Sequence, residues 1–350
     1  MRAPLTARIC DPRAMTELPS AYRAFVVEHE AGLAPAVRTL SSADLAGDGV
    51  LVRVAWSSLN FKDGLASQAD GKVARKSPMT LGIDLAGTVL ESDDPRFTPG
   101  QQVLAHGYDI GVAHNGGLAE LARIPADWIV PLGGADGPAL SPREAMILGT
   151  AGMTAGLSVH ALERHGITPA AGPVLVTGAT GGVGSAAVAI LARRGFEVHA
   201  ATGKPDAADW LRSLGATEIV GRADIEAHAE KPLSKQVWAA AVDSVGGTTL
   251  AGALAATKYL GAVAASGLTG GTSLKTTVLP FILRGVSLLG IDSVLCPMAT
   301  RAAVWTLLGG AYRPADLDAL VGAELSLDEV QGGLDTILAG GARGRFLVRL

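Results

Sequence analysis

One stretch of the chain has the residue types and spacing of a phosphate cradle. From Pro173 to Gly195 it reads PVLVTGATGGVGSAAVAILARRG. Ala179-x-Gly181-x-x-Gly184 is a dinucleotide fingerprint with alanine in the first glycine position. Glycine is needed where backbone approaches a pyrophosphate and where helix packs on strand. The free N–H groups of the helix start then bind the pyrophosphate. Thr180, Gly181, Gly182, Val183 and Gly184 are the residues expected there, with Gly178 in the turn. Ser185 follows Gly184 with no lysine between them, so this is not a triphosphate loop. The next strand ends in Ala200-Ala201-Thr202-Gly203-Lys204. NAD sites carry Asp or Glu at such an end, bonded to the ribose hydroxyls. A hydroxyl, a glycine and a cation suit a 2′-phosphate instead, so Thr202, Gly203 and Lys204 point to NADPH. Later strands end at Gly246, at Gly267-Leu268 and at Gly290-Ile291-Asp292-Ser293. Gly246, Leu268, Ile291 and Ser293 are either backbone contacts to nicotinamide and ribose or ordinary turns.

The elements around these residues change character along the chain. Tyr22–His29, Gly49–Val54, Leu85–Leu90 and Gln101–Ala105 read as short strands separated by Gly, Pro and Asp, which suggests a distorted barrel. WSSLNFKDGLA reads as a loop, followed by a basic patch of Lys72, Arg75 and Lys76. At Ser141-Pro142-Arg143-Glu144 a hydroxyl N-cap, a proline and a glutamate open a long helix of small residues. After Gly172, strands and helices alternate: strand 173–177, helix 182–194, strand 196–201, helix 207–214, strand 218–220, strand 240–243, helix 248–254 and strand 261–265. That order belongs to a parallel sheet. Ser326-Leu327-Asp328-Glu329 caps a further helix, and Arg345–Leu350 reads as a closing strand.

Composition excludes several classes. At roughly 150 residues per domain, 350 residues suit about two domains. The 48% hydrophobic content argues against disorder. A net charge of −4 with no basic domain argues against nucleic-acid binding. No apolar run reaches the roughly 18 residues of a membrane span. The opening MRAPLTARICDPRAMTEL lacks a signal-peptide apolar region and reads as an extension before the first strand, or as a start upstream of Met15. Two cysteines, Cys10 and Cys296, exclude a disulfide scaffold and a cysteine-rich zinc site. A cytoplasmic enzyme is expected.

VAWSSLNFKDGLA, GIDLAGTV, NGGLAELARIPADWIV, ILGTAGMTAGLSV, LVTGATGGVGS and TTVLPFILRGVSLLGIDSV together resemble the medium-chain dehydrogenase/reductase superfamily. They are most similar to its quinone-oxidoreductase-like branch, which contains NADPH-dependent acrylyl-CoA reductase. The resemblance covers Tyr22–Leu350. It implies an α/β fold: a GroES-like distorted β-barrel catalytic domain with an inserted Rossmann domain. The expected divisions are 1–144, 145–295 for NADPH binding, and 296–350 closing the catalytic domain. A homodimer is also implied.

The same resemblance assigns residues. Asn60 stands where the family asparagine lies beside nicotinamide or substrate, its amide able to donate to a carbonyl oxygen. Phe61 replaces the usual tyrosine and cannot donate a proton. Thr154 resembles the helix threonine near the nicotinamide phosphate, and Arg343 lies in the stretch that closes over the cofactor. Glu218 stands where relatives have an arginine near the adenine phosphate. The zinc-bearing relatives have Gly-His-Glu where this chain has Gly82-Ile83-Asp84, so no metal is expected. The implied reaction is hydride transfer from NADPH to the β carbon of acrylyl-CoA, giving propanoyl-CoA, with a quinone or a free enone or enal as the alternative acceptor. Lys72, Arg75 and Lys76 either steer a CoA handle or form a solvated loop. His106, His114 and His160 have no ligand spacing and read as turn or packing histidines, the first two with cofactor-cleft contact as a further role.

Overall fold

The computed structural model describes residues 18–134 and 137–350. Cys10, Met15 and the rest of the N-terminal extension lie outside the described residues. The first half contains β1 (Ala21–Glu28), β2 (Leu33–Ser41), β3 (Val50–Leu59), α1 (Phe61–Ser67), β4 (Met79–Thr80), β5 (Asp84–Ser92), β6 (Gln102–His106), β7 (Leu121–Ile124) and β8 (Ile129–Pro131). β2-β1-β4 form one small antiparallel sheet, and β3-β5-β6-β8 the centre of a larger one. Val50, Val52 and Val54 alternate inward against Leu85, Val89 and Val103 to fill the barrel.

Where the sequence reads as a loop, the structure has strand and helix. β3 continues through Ser57 and Ser58, both fully buried. Their hydroxyls donate to Asp84, Ser57 to its carbonyl and Ser58 to its carboxyl group, each at 2.8 Å. Side-chain partners on the neighbouring strand thus replace the apolar alternation that marks a strand by pattern. Asn60 then caps α1, and Asp63 reaches back to accept from the Asn60 amide at 2.9 Å.

The second half begins with α2 (Pro142–Arg164), capped as expected: Ser141 Oγ accepts from Glu144 N, and the Glu144 carboxyl accepts from Ser141 N at 2.8 Å. By composition α2 could span a bilayer, contrary to the absence of such a run expected above, yet 83% of the apolar window is buried inside the fold. It is a core helix. It kinks at Gly149, whose φ of 53° and ψ of −157° no helix has.

β9 (Val174–Val176), α3 (Gly182–Arg193), β10 (Val198–Thr202), α4 (Ala208–Ser213), β11 (Glu218–Gly221), α5 (Arg222–His228), β12 (Trp238–Asp243), α6 (Gly247–Ala256), β13 (Thr257–Ala265), α7 (Leu279–Arg284) and β14 (Ser287–Gly290) follow. Their strands form a parallel sheet in the order β11-β10-β9-β12-β13-β14. The order reverses between β9 and β12, so a crevice opens beyond their carboxyl ends, where such sheets bind ligands. α8 (Met298–Gly309) buries Val304, Trp305 and Leu308 in the same core as β9 and α3. The chain therefore rejoins the barrel sheet at β15 (Val321–Ser326) rather than at 296. After α9 (Val330–Leu338), β16 (Arg345–Arg349) pairs parallel with β15 and antiparallel with β3, aligning Phe346 with Leu59.

Candidate active site

The turn between β9 and α3 is built for backbone contact. Gly178 has a φ of +58°, and Gly184 packs so closely that a Cβ would lie 2.3 Å from the Gly178 carbonyl oxygen. Gly181 caps α3, and a Cβ on it would meet nothing closer than 3.4 Å. The turn is thus tight where helix meets strand and open where a pyrophosphate would rest. Val183 is half-buried against the core. Buried Thr180 turns its carbonyl to the Gly344 amide at 2.9 Å, and Gly182 lies against Arg345. At the neighbouring strand end, Thr177 Oγ1 donates to Asp243 at 2.6 Å, and the Gly246 amide donates to the same carboxyl at 2.8 Å. Gly246, with a φ of +74°, and exposed Leu268 lie on adjoining loops there.

At the end of β10, Thr202 Oγ1 accepts from the Lys204 amide at 3.0 Å, and Gly203 is exposed. Lys204 Nζ donates to the Ala342 carbonyl at 2.6 Å. Burial, with Arg343 nearby, lowers its pKa. Arg343 lies 5.4 Å from the centre of the Trp210 ring. A third cation, Arg222, was missed: its guanidinium lies 3.7 Å from where a Cβ on Gly203 would be. The available signal is positional, since Arg222 follows β11 much as Lys204 follows β10. Glu218 needs the opposite correction. It starts β11 beside His199, at the amino edge of a parallel sheet, with a carboxyl oxygen 3.3 Å from His199 Nε2. It therefore lies at the opposite end of β11 from the strand end that holds Thr202 and Lys204.

The other end of the site is a buried polar knot. Asp84 is fully buried and accepts from the Ser58 amide, Asn60 Nδ2 and the Thr150 amide, each at 3.0 Å. Arg345, also buried, donates to the Ile147 carbonyl at 3.1 Å and to Asn60 Oδ1 at 3.2 Å, with a guanidinium nitrogen 3.9 Å from Asp84. The Gly149 kink exists for this knot, because a Cβ there would lie 2.7 Å from Ser58 Oγ, Asp84 Oδ2 and Arg345 Nη2 alike. Asn60 Nδ2 also donates to the Ser58 carbonyl at 3.2 Å. Both its N–H bonds are therefore used, and donation to an acceptor carbonyl, as the sequence suggested, requires releasing one. Asp63, in the first turn of α1, is pushed up to about 7 by burial and by Asp84.

Phe61 opens α1 and is 38% exposed. Lys62 is half-buried, which lowers its pKa, and its charge neighbours are Asp63, Arg75, Asp109 and Asp292. Thr154 Oγ1 donates to its own helix at the Thr150 carbonyl, 2.7 Å away, and bonds Ser293 Oγ at 2.9 Å. This joins α2 to the segment holding Ile291 and Ser293. Thr150 Oγ1 is buried without a partner among the described residues. Of the basic patch, Arg75 pairs with Asp109. His106 is a packing residue, accepting from Trp305 Nε1 at 2.9 Å; His114 packs on Trp128. His160 lines a cavity of about 410 Å³ beside His165, Asp292 and Thr300.

A parallel sheet with a glycine cradle at its switch point, closed by strands of a GroES-like barrel, defines a dinucleotide-dependent oxidoreductase. Residues 46–134 match the alcohol dehydrogenase GroES-like domain and residues 182–308 the zinc-binding dehydrogenase family. Among the described residues no group of three or more His, Cys, Asp or Glu could hold a metal. The chain belongs to the medium-chain dehydrogenase/reductase superfamily, in its quinone-oxidoreductase-like branch. It is 53% identical over 314 residues to the "Putative quinone oxidoreductase YhfP" of Bacillus subtilis, covering 90% of this chain and 94% of that one. The structure of YhfP with NAD bound has a TM-score of 0.91 at 51% identity, covering 95% of this chain and all of the other. Identity to the "Acrylyl-CoA reductase AcuI" of Ruegeria pomeroyi is 49% over 313 residues, 89% and 93% of the two chains. The YhdH oxidoreductase of Salmonella enterica in complex with NADP has a TM-score of 0.88 at 46% identity, covering 94% and 99%. This chain is an NAD(P)H-dependent oxidoreductase acting on an activated enoyl or enone group.

Proposed function

We propose that the chain uses NADPH to reduce a carbon–carbon double bond conjugated to a carbonyl. The observation that carries the reading is the make-up of the acceptor side. Asn60, Phe61 and Lys62, at the start of α1, would line it, and the described residues include no metal-ligand cluster. In the zinc-bearing relatives a Lewis acid is the means of stabilising an alkoxide; a conjugated acceptor is already polarised and needs only hydrogen-bond donors at its oxygen. The cradle at Gly181–Gly184 would hold the pyrophosphate, Lys204 and Arg222 the 2′-phosphate, and Thr154, Ile291 and Ser293 would border the nicotinamide. When bound, the reduced cofactor supplies a hydride. The protein's part is to orient it and to stabilise the charge that develops on the acceptor oxygen. Phe61 supplies no proton, which leaves water as the simplest donor to the α carbon.

Two acceptors have specific support. A quinone or a free enone or enal is favoured by the 53% identity to a protein named as a quinone oxidoreductase. Acrylyl-CoA, reduced to propanoyl-CoA, is supported by the 49% identity to an acrylyl-CoA reductase. Lys72, Arg75 and Lys76 are cations that would suit a CoA handle, Arg75 by exchanging Asp109 for a phosphate. Steady-state kinetics with acrylyl-CoA, crotonyl-CoA, acrolein and a quinone, each with NADPH and NADH, decides between them. Preference for quinone or acrolein over every thioester selects the first; the reverse selects the second. No turnover of any of the four overturns the reading.

A further inference from the structure

α8 carries a guanidinium with no carboxyl partner. Arg301 is 0% exposed, and none of the ion pairs among the described residues includes it. A charge taken out of water normally requires an opposite charge or dense hydrogen bonding. Here the partners are backbone carbonyls on two loops, together with the His106 ring, whose Nδ1 lies 2.9 Å from Nη1. Nη1 donates to the His106 carbonyl at 2.9 Å, at the end of β6 in the barrel. Nη2 donates to the carbonyls of Ser293, Val294 and Cys296, just beyond β14, at 3.2, 3.1 and 3.4 Å. The guanidinium also lies 4.6 Å from the centre of the Tyr108 ring, and the Tyr108 amide donates to the Val294 carbonyl at 2.9 Å. Between them Gly107 has a φ of +78°, and a Cβ on it would lie 2.9 Å from the Val294 oxygen and 3.0 Å from Arg301 Nη1. One side chain therefore joins the barrel turn 106–108 to the loop that presents Ser293 to Thr154.

We propose that Arg301 is a positioning residue for hydride transfer, fixing the 291–296 segment against the barrel and so setting the nicotinamide end of the cofactor site. This rests on the reading that Ile291 and Ser293 border the nicotinamide. Only arginine's planar fork can reach carbonyls on both loops at once; an ammonium is a point donor. A carboxyl partner would compete for the same N–H groups and release the loop.

The test compares Arg301→Met and Arg301→Lys in the full chain. The first readout is amide hydrogen exchange of the cofactor-free protein. The Val294 and Leu295 amides, which bond Asp292 at 2.7 and 3.2 Å, and the Tyr108 amide exchange at least about tenfold faster in both variants. Amides of β9 and β12 keep wild-type protection. Dinucleotide affinity, from fluorescence titration, changes less than about threefold, because the cradle and the adenine end are elsewhere. With whichever acceptor the wild type reduces, kcat falls about 100-fold, the scale of a 1 Å misplacement. Wild-type exchange at 108 and 294–295 overturns the proposal, as does kcat within about threefold of wild type, or a loss of affinity equal to the loss of kcat. If the wild type reduces no acceptor, the functional reading fails, and exchange still decides this one. If the methionine variant does not fold, the lysine variant, which keeps charge and length, carries the same comparison.

Discussion

Replacing Lys204 by alanine, and then Arg222 as well, separates recognition of a 2′-phosphate from recognition of the rest of a dinucleotide. Lys204 is partly buried, and a charge-assisted bond to phosphate in such a place contributes roughly 1.5 kcal/mol. Arg222 is exposed, so solvent screening leaves it roughly 0.5 kcal/mol. On the proposed NADPH reading, the two together would discriminate NADPH from NADH by about 2 kcal/mol, or roughly 30-fold. Lys204 must exchange the Ala342 carbonyl for the phosphate, which keeps its share at the low end of the range. The assay is kcat/KM with NADPH and NADH for the wild type, Lys204→Ala and the double variant. Lys204→Ala lowers the NADPH value about tenfold and changes the NADH value less than about threefold; the double variant loses roughly 30-fold. Raising ionic strength narrows the wild-type preference and leaves the double variant unaffected. An equal fall with both cofactors refutes the reasoning, because Lys204 would then act only by tethering Ala342.

Other substitutions test the cradle and the knot. Gly184→Val abolishes measurable dinucleotide binding, since its Cβ meets the Gly178 carbonyl at 2.3 Å; fluorescence titration reads this directly. Gly149→Ala costs about 3 kcal/mol of stability in urea unfolding, because a side chain at φ +53° would also enter the Asp84–Arg345 knot. Asp63 holds a proton in the folded state up to about pH 7, whereas the unfolded chain releases it near the ordinary value of 3.8. Its contribution to stability is therefore present below the unfolded value and declines as pH rises towards 7. Asp63→Asn removes that slope between pH 4 and 7, and an unchanged slope in the variant counts against the assignment. Dialysis against a strong zinc chelator leaves activity at the wild-type level.

The sequence was most informative where backbone conformation alone sets the chemistry. The fingerprint, the β9–α3–β10 order and the Ser141 cap are local, and each follows from spacing and glycine geometry. The knot is different. Ser57, Ser58, Asp84 and Arg345 are polar residues in core positions, and what makes them a unit is their mutual satisfaction across hundreds of residues. Asn60 reads as a free donor until Asp84 and the Ser58 carbonyl take its two N–H groups. Arg222 and Glu218 illustrate a finer limit. Glu218 opens β11 and Arg222 follows it, but parallel pairing decides which end of the strand lies beside Lys204, and spacing along the chain does not show this. Arg301 carries no motif, because most of its partners are carbonyls, which every sequence has, and its two ring neighbours, His106 and Tyr108, lie almost 200 residues away.

The knot also dictates when the protein can become functional. Arg345 and Ser58, which bond each other within it, are 287 residues apart. At ribosomal rates of about 5–20 residues per second, roughly 15–60 seconds separate their synthesis. Throughout that interval β3 has no β16 beside it, Asp84 has no buried cation, and Thr180 and Lys204 lack the 342–344 backbone that they bond. A nascent chain can complete its parallel sheet and its glycine turn well before this, yet the Asn60 end of the site waits for the closing strand. Chains interrupted before 345 would leave a carboxyl group stranded in the barrel with an unpaired strand edge next to it, a form suited to capture by chaperones and proteases rather than to catalysis.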